Sequence, residues 1–165
     1  MKCLIFSDTH GRCVPMQKAL MKHPDTEVVF FLGDGLRDLY SLTEKMSSCA
    51  VIPVRGNCDS QCDPLFAGVP EVDEITLLDK KIVLLHGHTA GAKSGVGGLV
   101  ALAKKSGADI VLFGHTHTPC EKYISEYEKP FYLFNPGCME EYPASFGILT
   151  LTEGKEPLFS HGEIY

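Results

Sequence analysis

The chain has 165 residues, 44% hydrophobic and 22% charged, with 15 Lys and Arg against 21 Asp and Glu for a formal charge of −6. That balance excludes a disordered polyelectrolyte. It also excludes a nucleic-acid binder working through a basic surface, because the cations are scattered and only Lys80–Lys81 and Lys104–Lys105 are adjacent. Nucleic acid is therefore not expected as a stable partner, and no window reaches the ~20 apolar residues of a membrane span. The opening "MKCLIFSDTH" has too short an apolar run for a secretory leader, so the expected location is the cytoplasm and no membrane partner is expected. The length suits one domain over 1–165.

In chain order, the first expected strand is 2–6, followed by Asp8 and His10 and a helix over 13–22. A strand at 28–32 leads into Gly33 and Asp34 and a helix over 36–47. A strand at 50–54 leads into Arg55, Gly56 and Asn57. Strands at 74–78 and 81–85 flank Asp79–Lys80, a hairpin connection without the preferred glycine; His86 and His88 follow. A helix over 96–106 stops at Gly107, and a strand at 109–113 leads into His115 and His117. Strands at 131–134 and 146–151 come next, and "EPLFSHGEIY" adds a weak edge strand. Several strands are nearly all apolar, the mark of burial on both faces. Strand–helix–strand units followed by strand pairs imply an α/β fold with mixed sheets.

The seven cysteines are an odd number without a secretion signal, which fits reduced thiols. Cys58 and Cys62 form a CxxxC with no second pair, so neither a structural zinc site nor a redox pair is expected.

Five of the seven histidines fall in loops after strands, together with Asp8, Asp34 and Asn57; only His23 and His161 lie elsewhere. Loops at strand carboxyl ends are where α/β sheets build sites. Each residue alone is explained as a cap or turn former, but the set is not. Burying imidazoles and carboxylates together costs free energy unless a cation pairs them. Nitrogen and oxygen donors without thiolate suit Mn²⁺, Fe²⁺, Zn²⁺ or Ni²⁺. Seven donors are too many for one tetrahedral ion; a bridging carboxylate would divide them between two ions, able to clamp a phosphate and generate a hydroxide nucleophile.

The ordered blocks "DTH" (8–10), "GD" (33–34), "GNCD" (56–59), His86 within "HGH", and "GHTH" (114–117) resemble the signature of the calcineurin-like metallophosphoesterase superfamily. "FNPG" (134–137) resembles the segment that follows in its small bacterial and archaeal phosphodiesterases. The resemblance implies a four-layer α-β-β-α sandwich with two mixed β-sheets, the metallo-dependent phosphatase fold. It implies two divalent ions, Mn²⁺ foremost: Asp8, His10 and His117 on one, Asn57, His86 and His115 on the other, and Asp34 bridging. The activity implied is hydrolysis of a small phosphodiester by an ion-bound hydroxide, with Asn57 orienting the phosphate. His88 is left over, placed behind the ligands or facing the substrate.

One departure matters. The superfamily pattern carries His after the Asn, the acid that protonates the leaving group, and here Cys58 stands there. A thiol is a poor hydrogen-bond donor, and a general acid contributes ~10²–10⁴-fold, so good leaving groups should be favoured. Asp59 is expected to fix the Asn57 loop. Arg55 either contacts phosphate or lies in solvent. "GAKSGVGG" (91–98) lacks the Gly directly before Lys–Ser that a Walker loop needs, so nucleotide binding there is rejected. HxHxDH and GxSxG are absent, excluding metallo-β-lactamase and serine-hydrolase arrangements. The same small fold resembles the retromer vacuolar-sorting subunit, which makes an interaction scaffold the alternative function. Residues 61–70 and 123–129 are expected to form the site rim. Phe131, Tyr132 and Tyr165 are candidates for an apolar contact in a homo-oligomer.

Overall fold

The computed structural model describes residues 1–165, the Glu44 side chain excepted. The elements are β1 (Lys2–Phe6), α1 (Cys13–Lys22), β2 (Val28–Phe31), α2 (Leu36–Ser41), β3 (Ala50–Pro53), β4 (Val72–Leu77), β5 (Lys80–Leu85), α3 (Gly97–Ser106), β6 (Ile110–Phe113), β7 (Cys120–Ile124), β8 (Phe131–Asn135), β9 (Ala144–Thr150) and β10 (Leu158–Ile164). Ten strands make two sheets of five, ordered β10-β9-β1-β2-β3 and β4-β5-β6-β8-β7. Strands β1, β2 and β3 run parallel in one sheet, with β3 at its edge, as do the inner strands β5, β6 and β8 in the other, and antiparallel strands complete both.

Strand alternation produces the four layers. Cys3, Ile5, Phe30, Ile82, Leu84, Ile110 and Leu112 meet between the sheets. Leu4, Phe6, Val29 and Phe31 turn the other way and pack on Met16 and Ala19 of α1 and Leu36 and Leu39 of α2. Val83, Leu85, Val111 and Phe113 do the same against Leu99 and Ala103 of α3. The buried stretches of these strands are apolar on both faces because each face has a layer to cover, at ~1.5–3 kcal/mol per buried aliphatic or aromatic side chain.

The structure corrects several expectations. The helix expected over 36–47 ends at Ser41 and continues as a 3₁₀ turn at Thr43–Met46. Ser41 Oγ donates to the Asp38 carbonyl and Thr43 Oγ1 to that of Tyr40, so hydroxyls compete for the carbonyls that would continue the ladder. β7 was not expected: its "CEKYI" is a mostly exposed edge, and edge strands carry charge. β7 starts at the functional end and runs away from it, antiparallel to β8. Residues 125–129 therefore lie at the opposite end, where Lys129 donates to the Gly107 carbonyl, and are no part of the rim. Phe131 is buried in the α3 layer and Tyr132 packs against Tyr123 and Phe159, which leaves Tyr165 alone exposed among the three.

The β4–β5 loop is Leu78–Asp79 rather than Asp79–Lys80, with Leu78 at φ 53°. A Cβ-bearing leucine is disfavoured there, whereas asparagine tolerates the conformation. Leu78→Asn is expected to raise stability by up to ~1 kcal/mol. A higher urea midpoint at unchanged m-value would show it; a lower midpoint would mean that the apolar side chain matters more than the turn.

Candidate metal centre

The hydrogen-bond ladder continues past the strand ends. Asp8 N–H donates to the Gly33 carbonyl, His10 N–H to that of Asp34, and Gly114 N–H to that of His86. Two bonds here cross from one sheet to the other, His86 Nδ1 to the Leu32 carbonyl at 2.7 Å and His115 N–H to Asp8 Oδ2 at 3.1 Å, and within the second sheet Asn135 Nδ2 donates to the Gly114 carbonyl at 2.9 Å. The loops after β2 and β3 touch backbone to backbone. A Cβ on Gly33 would lie 2.4 Å from Gly56 N, and one on Gly56 would lie 2.1 Å from Asp34 Oδ1. Asp8, His10, Asp34, His115 and His117 all hold positive φ between 43° and 68°. Such backbone is costly for residues with a Cβ and collects at functional sites.

These loops bring six of the seven expected ligands into two groups. Donor atoms of Asp8, His10 and His117 lie within 4.8 Å of one another, as do those of Asp34, His86 and His115. Asp34 Oδ2 faces both groups, 3.2 Å from His86 Nε2 and 3.8 Å from His10 Nε2. The seventh, Asn57, is exposed and its Nδ2 donates to Cys58 Sγ at 3.2 Å. Its loop is still tied to the centre, since Cys58 N–H donates to Asp34 Oδ1 at 2.7 Å.

Three features fit a cation. Asp8 is fully buried; Oδ2 accepts from Ser7 Oγ at 2.5 Å, but Oδ1 has no hydrogen-bond partner and faces His117 Nε2 at 3.2 Å. An orphaned buried carboxylate oxygen among imidazoles is costly unless something positive lies between them. His86 Nδ1 meets a carbonyl, which can only accept, so Nδ1 carries a proton and neutral His86 presents an Nε2 lone pair inward. His86 Nε2 stands 3.2 Å from His115 Nδ1, within the ~3–3.4 Å of two nitrogens that share one ion at ~2.1 Å.

The charges agree. Burial opposes ionisation of Asp34, yet the hydrogen bond and charge of His86 and the Cys58 N–H hold its carboxyl well below the usual range. Burial likewise works against charged His86, but Asp34 and Asp8 outweigh it and raise its pKa. Burial, then the neighbouring His86, lowers His88 and His115, keeping both neutral at pH 7 with lone pairs to offer. A divalent cation can replace the proton on His86 as the positive partner.

The remaining residues separate clearly. His88 is half-buried, its ring 5.5 Å from that of His86 and 6.1 Å from that of His115, with Nδ1 buried and unpartnered. Arg55 is neither in solvent nor at a phosphate position: it is buried and paired with Glu71 at 3.0 Å. His161 bonds the Asn135 carbonyl and stacks on Phe134, and His23 packs on Phe146. Asp59 accepts N–H bonds from Asp34, Gly35, Leu36 and Gly56, clamping the loops after β2 and β3. Two supports went unrecognised in the sequence. Asp38 takes Thr9 Oγ1 and Gly11 N–H, and the buried Asn135 holds Gly114, Thr116 and Gly137. "FNPG" was the available signal for Asn135; nothing local marked Asp38. Of the expected rim, Asp63 and Phe66 line a cavity of about 330 Å³ that opens on His10, Asp34 and Cys58.

The family model for the calcineurin-like phosphoesterase superfamily domain matches residues 1–154. The chain is 29% identical over 171 residues to the phosphodiesterase YfcE of Escherichia coli K12, covering 90% of this chain and 87% of that protein. It is 32% identical over 157 residues to the probable metallophosphoesterase YsnB of Bacillus subtilis 168, covering 92% and 85%. The solved structure of vacuolar protein sorting 29 from Cryptosporidium parvum matches with a TM-score of 0.72 at 21% identity, covering 99% of this chain and 97% of that one, a likeness of fold alone.

Proposed function

Because the chain belongs to the calcineurin-like phosphoesterase superfamily and is a phosphoesterase by class, we propose that it hydrolyses small phosphodiesters at a pair of divalent cations, as one domain over 1–165. Asp8, His10 and His117 would hold one ion, Asn57, His86 and His115 the other, with Asp34 between them. The observation that carries this reading is the unpartnered Asp8 Oδ1 facing imidazole nitrogens in a buried site. Bound there, such ions polarise phosphoryl oxygens and bring the pKa of water near neutrality, supplying a hydroxide nucleophile. The family resemblance puts Mn²⁺ first, and the imidazole and carboxylate donors equally suit Ni²⁺, Zn²⁺ and Fe²⁺ as competitors. The odd cysteine count fits a reducing cytoplasm.

The chain's own residues do the rest. Asp34 spends Oδ1 on the Cys58 N–H and keeps Oδ2 for both imidazole groups. The Leu32 carbonyl fixes the His86 tautomer, so Nε2 is oriented before anything binds. Asn57, whose Nδ2 now meets Cys58 Sγ, would turn its amide oxygen to the ion, and His88, beside His86 and His115, would meet a phosphate oxygen. Burial, then the carboxylates of Asp34 and Asp59, push the Cys58 thiol up to about 11. It therefore stays protonated but donates weakly, and the leaving group departs largely unassisted.

Cys58→His is accordingly expected to raise hydrolysis of alkyl diesters about 10–100-fold while changing nitrophenyl esters little. The check is the slope of log kcat/KM against leaving-group pKa. An unchanged slope would remove Cys58 from the leaving-group position.

The function itself is tested by nitrophenol release from bis(4-nitrophenyl) phosphate by protein stripped with chelator and reloaded with Mn²⁺. Loss and recovery of activity, with two ions per chain, is the expected result. No turnover with any divalent ion, or turnover indifferent to metal, would favour the scaffold reading. That reading has the fold likeness alone behind it.

A further inference from the structure

A phosphodiester carries two arms, and two cavities meet at Gly11, the residue after His10. The cavity of about 330 Å³ contains Cys58 and lies on the leaving-group side. The second, of about 440 Å³, has no role in the chemistry described above. It begins at Gly11 and Arg12, and across from them stands Glu141, whose Oε1 is 3.5 Å from His117 Nδ1. The cavity therefore lies beside the group of Asp8, His10 and His117, reaching it through Gly11 and Glu141.

Its lining is specific in kind. Val14, Pro15 and Ile164 supply an apolar surface, and Lys18 supplies one ammonium. Tyr142 is 74% exposed and meets Tyr165 edge-on at 6.0 Å between centroids, which leaves its ring available to a stacking partner. The volume falls in the range of small-molecule sites, ~300–1,000 Å³. An alkyl arm would use neither the aromatic ring nor the cation. A planar base on a hydroxyl-bearing sugar would use both, the ring by stacking and the ammonium by donating to a hydroxyl oxygen.

We infer that this second cavity binds the retained arm of the diester and selects a nucleoside arm, with the base against Tyr142 and a sugar hydroxyl toward Lys18. The inference rests on the phosphodiesterase reading above. The test compares two substrates with the same leaving group: the 4-nitrophenyl ester of thymidine 5′-monophosphate and ethyl 4-nitrophenyl phosphate, both with Mn²⁺-loaded protein. The thymidine ester should have the higher kcat/KM by about tenfold or more, the size that base–aromatic stacking usually carries. In Tyr142→Ala that ratio should fall toward one, and Lys18→Ala, also at the surface, should lower it severalfold. Equal kcat/KM for the two esters in the wild type, or a ratio unmoved by both variants, would overturn the inference while leaving the phosphodiesterase reading intact. Turnover of neither ester would overturn both.

Discussion

Asp34→Ala is expected to cost on the order of 10³-fold or more in kcat/KM for bis(4-nitrophenyl) phosphate and to reduce bound metal from two ions per chain to at most one. Asp34 Oδ2 is within reach of an imidazole from each ligand group, so its removal affects both together. His117→Ala, by contrast, touches only the group of Asp8 and His10 and should leave the second ion in place. The metal-free Asp34→Ala protein should fold with reduced stability at neutral pH, because the carboxyl pKa of Asp34, depressed against the effect of burial, reports favourable pairing with His86 and the Cys58 N–H that alanine removes. Metal content by mass spectrometry and thermal unfolding of the stripped protein separate the two effects. Two tightly held ions in the variant would rule out the bridging position.

Asp59→Ala is expected to destabilise the protein by about 3–5 kcal/mol and to weaken metal binding 10–100-fold, although Asp59 is no candidate ligand. Its carboxylate accepts N–H bonds from Asp34, Gly35, Leu36 and Gly56 at 2.8–3.0 Å. Alanine strands four donors, three of them buried. The same clamp sets the backbone of Asp34 and, through Gly56, the loop that carries Asn57. Asp59→Asn keeps one oxygen and should fall between wild type and alanine in both denaturant midpoint and metal affinity. An alanine variant less stable yet unaltered in metal affinity would limit Asp59 to holding the fold.

The fold was legible where burial is two-sided. Residues 3–6, 28–31, 82–85 and 110–113 are apolar without a break because helices cover one face and the other sheet covers the opposite one. β7 and β10 were missed or weak because edge strands are held by one neighbour and leave polar side chains in water. The 123–129 segment was misplaced for the same reason: without β7, nothing indicated that the chain had already turned away from the site. The ligands were legible because glycine-flanked His and Asp at strand ends are rarely found as a set for structural reasons. Asp38 was not legible, since an aspartate in the first turn of a helix has an ordinary explanation there.

The sequence by itself determined the layered α/β class, the identity of the donors and the family, because strand periodicity and the chemistry of imidazole and carboxylate are local properties of residues. The family resemblance implied the grouping of donors and the place of Asp34 between them; only the tertiary structure gave the distances that bring them together, the reach of the Asp59 clamp to the loop after β2, and the pairing of Arg55 with Glu71. Those are relations across 16 to 109 positions of chain, set by two sheets meeting at their carboxyl ends. Distance along a sequence carries no information about such meetings until packing has fixed the backbone.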